Sequence, residues 1–148
     1  MRLLLIAVAV SVLTYTNCQT SDDVKSESTV QESTAIQESW DEIMAVHDEI
    51  MPISMKLPPI WEEIDTLLND ANETEAIELK VLSADLKKAH KEMYDWMEDA
   101  RLIKERITNA SESELEAVVE KEKSRIEQIK KETNEAFERA KKRLNTEE

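Results

Sequence analysis

Few side chains in this sequence are equipped for chemistry, and their spacing narrows the choice further. The only cysteine, Cys18, stands between an apolar run and a polar, acidic one in LTYTNCQTSDD, residues 13 to 23. A single cysteine closes no internal disulfide. It can be a free thiol, half of an intermolecular bridge, or the residue that carries the lipid of an exported, membrane-anchored protein. Its position after the apolar run favours the lipid. Tyr15, Thr16 and Asn17 then form a loose lipobox, with Asn17 where a small residue is usual, and a cut after Thr16 or Cys18 by ordinary signal peptidase is the competing outcome.

The next candidates are polar residues on apolar helical stripes. His47 and Glu122 each occupy a seam position, and folding the chain back on itself sets them in one layer with Trp96 and Met97. If they meet, a buried imidazole and carboxylate would fix the register of the helices at a cost in stability. In the plainer reading both sit at the seam's edge and reach water. Met44, Met51, Met93 and Met97 gather around the same layer. Thioether sulfur with imidazole suits a soft metal such as Cu(I), although methionine more often fills irregular core space. A di-iron site would need Glu three residues before His, whereas Met44 precedes His47 and Lys87 precedes His90 at that spacing. His90 reads as a rim residue beside the seam. Cys18 is on a polar leader and the serines cluster there or at helix starts, so no nucleophile is paired with a base, and catalysis is not expected. No cofactor is expected either. Asn72-Glu-Thr74 and Asn109-Ala-Ser111 match the glycan acceptor pattern, but helix capping accounts for both.

Composition excludes whole classes. The 148 residues contain no glycine, so phosphate-cradling loops, dinucleotide-binding turns and the nucleophile elbow are ruled out. Net charge is −14, and removal of residues 1 to 17 with Arg2 leaves 18 basic against 33 acidic residues. Such a surface repels phosphate backbones, so nucleic acid is not an expected partner, and it repels anionic headgroups as well. Charge is uneven: residues 18 to 79 hold 16 acids against Lys25 and Lys56, whereas residues 80 to 148 hold 17 acids and 16 bases. An acidic helix lying beside two more basic ones is the plain reading, and a cation-recruiting face the sharper one.

These residues must be positioned by helices. Residues 1 to 17 have one positive charge and then an apolar run too short to span a bilayer, the layout of a signal peptide. Residues 18 to 33 are polar and read as a flexible tether from the lipid. From Thr34, Ile36, Trp40, Ile43, His47 and Ile50 recur at steps of three and four, predicting a helix over 34 to 51. Pro52, Pro58 and Pro59 then kink or break it, and it restarts over 59 to 69 with Ile60, Trp61, Ile64, Leu67 and Leu68.

A third stretch, 74 to 108, carries an unbroken seam of Leu79, Leu82, Leu86, Ala89, Met93, Trp96, Ala100, Ile103 and Ile107. The last, 112 to 144, carries Leu115, Val119, Glu122, Ile126, Ile129, Thr133, Ala136, Ala140 and Leu144. Its start is marked by a capping box in one of two registers, Ser113 with Glu116 or Ser111 with Glu114. Asn69, Asn72, Asn109 and Asn145 fall at helix ends, where asparagine can replace glycine as a left-handed cap. The expected fold is all-α: an antiparallel up-down-up bundle of three long, coiled-coil-like helices over 34 to 148, the first interrupted between 52 and 59. Trp61 should then lie level with residues near 83 and with Phe137.

The phrases WDEIMAVHDEIMP (40 to 52) and AHKEMYDWM (89 to 97), with the lysine- and glutamate-rich helix over 116 to 144, resemble small Bacteroidota lipoproteins often labelled "viral A-type inclusion protein". The resemblance implies an outer-membrane lipoprotein of the cell envelope, facing the periplasm or the cell surface, and no defined activity. Ser21-Asp22-Asp23 is similar to the acidic signals that send such lipoproteins to the surface. The function expected is a lipid-anchored structural or protein-interaction module that binds a protein partner or itself. The alternative is a ligand or soft-metal module built on the layer around His47.

Overall fold

The computed structural model describes residues 22 to 145, with side chains from residue 34 onward. It is all-helical: α1 Asp22–Ser54, α2 Leu57–Leu67, α3 Glu73–Asn109 and α4 Glu112–Leu144. α1 and α2 are two arms of one helix bent at residues 55 and 56, so three long helical bodies pack together. α1 lies mainly on α4, α2 mainly on α3, and α3 on α4.

The seams read from spacing are the buried faces. Leu79, Leu82, Leu86, Ala89, Met93, Trp96, Ile103 and Ile107 of α3 are buried, as are Val119, Glu122, Ile126, Ile129, Thr133, Ala136 and Ala140 of α4. Each large aliphatic among them contributes about 2 kcal/mol by leaving water. The apolar residues form two clusters rather than one. The first joins Ile43 and Ile50 to Met93, Trp96, Ile103, Ile107, Val119, Ile126 and Ile129. The second joins Leu57 and Ile64 to Leu79, Leu82, Leu86, Ala89, Ala136 and Ala140.

The proline-rich interruption is narrower than expected. Pro52 lies inside α1, which continues to Ser54, and only Met55 and Lys56 leave the helix. Asp48, whose carbonyl would take the missing N–H, and Pro52 itself are both on the exposed face, where water is available to replace the donor. Pro58 and Pro59 stand in the first turn of α2, where a helix has no use for their N–H groups. α1 is also helical from Asp22, well before Thr34. The polar stretch that reads as a tether contains no glycine or proline to stop a helix. Residues 18 to 21 lie outside the described residues.

Helix ends are capped differently from the expectation. Among the described residues none has positive φ, so no asparagine forms a left-handed cap. Asn72 is instead the N-cap of α3: its Oδ1 accepts from Thr74 N and Glu75 N, while Glu75 Oε2 accepts from Asn72 N. α4 uses the Ser111 register, with Ser111 N and Oγ both donating to Glu114 Oε2. These bonds hold the Glu114 carboxyl below the ordinary glutamate range. Asn72 stands at a helix start, where free N–H groups need an acceptor, whereas a left-handed cap serves the carbonyls of a helix end.

Candidate functional site

His47 and Glu122 do not pair; each has another partner. The His47 ring stacks on Trp96 with centroids 5.5 Å apart, and Nδ1 lies 2.8 Å from Asp48 Oδ1 on its own helix. Glu122 is only 2 % exposed, so it is not an edge residue reaching water. Its Oε1 accepts from Arg106 Nη2 at 2.9 Å, a bond from α3, and Arg125 Nη1 stands 3.9 Å from Oε2. Spacing located the buried carboxylate but not its cation. Arg106 is half exposed and lies off the apolar seam, and only the long guanidinium stem brings it inward.

The methionines do meet, as packing. Met93 is fully buried in the first cluster, and Met44, Met51 and Met97 pack against it with Trp40 and Ala100. Among the described residues no three His, Cys, Asp or Glu side chains are grouped to hold a metal ion. Cys18 lies outside the described residues. No described helix is long and apolar enough to cross a membrane.

A site that spacing missed lies at the bend. Ser54 is fully buried at the end of α1, and in a continuous helix its carbonyl would take an N–H from residue 58, which is Pro58. His90 of α3 reaches it instead, with Nδ1 3.1 Å from Ser54 O, so Nδ1 carries the proton in that bond. The imidazole also meets the edge of Trp61 at 5.2 Å and Tyr94 at 4.5 Å between centroids. His90 is thus no passive rim residue, and Trp61 sits against it rather than level with residue 83. Because Ser54 and Trp61 both touch His90, the bend uses seven residues without advancing along α3.

The same level is polar on all three helical bodies. Ser54 follows Ile53 and precedes Leu57, His90 falls between Ala89 and Met93, and Thr133 falls between Ile129 and Ala136. In each case one neighbour belongs to the first cluster and the other to the second. Thr133 is fully buried and its Oγ1 has no hydrogen-bond partner. Beyond the bend, Asp65 of α2 accepts from Lys87 Nζ at 2.7 Å and Ser83 Oγ at 2.6 Å. The Lys87 bond first, and the Ser83 bond next, hold the Asp65 carboxyl below the ordinary aspartate range.

At the other end of the bundle an open cleft of about 860 Å³ runs between the end of α3 and the start of α4. Leu102, Ala117 and Val118 supply its apolar wall, and Glu105, Arg106, Glu114 and Lys121 its charges. Leu102 is 46 % exposed. Across Glu105 a second cleft of about 470 Å³ is lined by Trp40 and Ala100, with Lys104 Nζ 5.5 Å above the Trp40 ring. The first cleft is thus a mixed apolar and charged trough between two helices.

Compared with family models, with curated proteins and with solved structures, the chain finds no match in any of the three.

Proposed function

We propose that this protein is a lipid-anchored helical module of the cell envelope, attached through Cys18 to the outer membrane, that works by binding a helix of a protein partner and carries out no catalysis. The observation that carries the reading is where the chain enters the bundle. Lys123 pairs with Glu42 and Lys130 with Glu49, so α1 runs alongside α4 in the same direction at an offset of 81 residues. On α3 and α4, Glu75 pairs with Arg143, Asp85 with Arg139, Lys88 with Glu132 and Asp99 with Arg125, numbers rising on one helix as they fall on the other. These pairs support an up-down-up order.

Carried back at the same offset, α1 draws level with the start of α4 at about Gln31. Its first turns, from Asp22, therefore project past the α3–α4 connection. The clefts beside Leu102 and Trp40 lie at this same end of the bundle. A helix from a partner fits them, because the trough has an apolar wall and carries both signs of charge, as the seams between the protein's own helices do.

Intact mass of the protein extracted from membranes tests the anchor, with a lipid increment expected on the native chain and none on Cys18→Ser. Equal masses for the two would remove the anchor. Leu102→Glu should abolish partner binding without changing helical content, and unchanged binding would move the interaction surface elsewhere.

A further inference from the structure

α2 differs from the other helices in what holds it. Its eleven residues are too few for a helix to persist alone in water. Its N-cap, Lys56, makes no side-chain capping bond, its first turn has no acidic residue and its last turn no basic one. Leu57 and Ile64 are fully buried, and Ile60, Trp61 and Leu67 pack half-buried on the same cluster, so burial rather than capping holds it. It is flanked by the exposed Met55 and Lys56 on one side and by the turn over 68 to 72 on the other. Undocking and unwinding of such an element are one event.

Loss of α2 need not spread. The cluster it joins is separate from the first, and the polar level of Ser54, His90 and Thr133 lies between them. Leu79, Leu82, Leu86 and Ala89 of α3 still belong with Ala136 and Ala140 of α4 when α2 leaves. The polar contacts across to α3 are concentrated on Asp65, which holds both Ser83 and Lys87, and Trp61 adds its edge contact with His90.

We infer that α2 is a releasable strap: held at both ends by the chain, it undocks from α3 and unwinds as a unit between Met55 and Asn72 while α1, α3 and α4 stay folded, and Asp65 is its latch. Release uncovers the apolar face of Leu79, Leu82 and Leu86.

Hydrogen exchange read by mass spectrometry on the full chain carrying Cys18→Ser tests this. Amides of α2 should exchange about 100-fold faster than those in the middle of α3, with a shallower dependence on denaturant because little surface is exposed on opening. Asp65→Ala should speed exchange in α2 and leave α4 unchanged. Asp65→Asn replaces it if the alanine variant loses helical content. A disulfide made by Asp65→Cys with Ser83→Cys should bring α2 to the rate of α3. Exchange of α2 at the rate and denaturant slope of α3, or an α2 rate indifferent to Asp65, overturns the strap.

Discussion

Glu122 is the residue where polarity and burial conflict most. Its carboxylate is out of water while Arg106, its main partner, is 52 % exposed. The two partners should therefore respond unequally to mutation. Arg106→Ala leaves the buried carboxylate with Arg125 alone, 3.9 Å away and not hydrogen-bonded, and should cost about 3 kcal/mol, whereas Glu122→Leu releases Arg106 to water, fills the seam and should raise Tm. Chemical and thermal unfolding of both variants checks the asymmetry, and a loss from Glu122→Leu as large as that from Arg106→Ala would sink it. His90 holds the carbonyl that Pro58 leaves without a donor. His90→Ala should destabilise by about 1–3 kcal/mol, the cost of a buried acceptor left unmade. Asp65 offers a pH handle. Its folded pKa lies below the ordinary value, so its bonds favour folding fully above the ordinary aspartate range, about pH 4, and that contribution is lost as pH falls through the depressed value. The side chain is over a third exposed and the effect is screened. The stability difference between the native chain and Asp65→Asn should accordingly be level at neutral pH and shrink below about pH 4.

At the scale of elements, three prolines do two different jobs. Pro52 sits on the exposed face of a helix that continues past it, while Pro58 and Pro59 open α2 after the bend. Pro52→Ala should stabilise α1 by about 1 kcal/mol or more and leave the bend in place, because it returns an N–H to Asp48 without touching residues 55 and 56. If the contact between Trp61 and His90, read by indole fluorescence, is lost in that variant, Pro52 rather than the following turn sets the bend. The arms on either side of it face different neighbours. α1 pairs with α4 through Lys123 and Lys130, and α2 with α3 through Asp65 and Lys87.

Over the whole molecule the uneven charge finds its place in α4. That helix sends Lys123 and Lys130 to the acidic α1, and Arg125, Arg139 and Arg143 to α3. Lys88 answers from α3 to Glu132, which raises the lysine pKa and lowers that of the glutamate. Most of these pairs are exposed and individually weak, so they choose which helix lies beside which rather than supply the stability. The polar level at the bend divides the core in the same economical way: it interrupts packing once, at the height where the chain itself turns.

The positions of α2, α3 and α4, their buried faces and the oddity of Glu122 were legible in the residues, whereas the early start of α1 at Asp22 was not. A step of three or four along a helix reports which side chains share a face, and α4 begins and ends where its capping residues put it. Partners were not legible. Whether Glu122 meets His47 or Arg106 depends on the rotation of one helix against another and on the reach of a surface arginine, which spacing within a single helix does not encode. The role of His90 was hidden likewise, since it arises from a carbonyl 36 residues earlier that a proline leaves unserved. Periodicity along a helix is a local property of the chain, while the level at which two helices meet is decided by turn length and packing in three dimensions. The split of the core into two clusters, and the polar level between them, belong to that second kind.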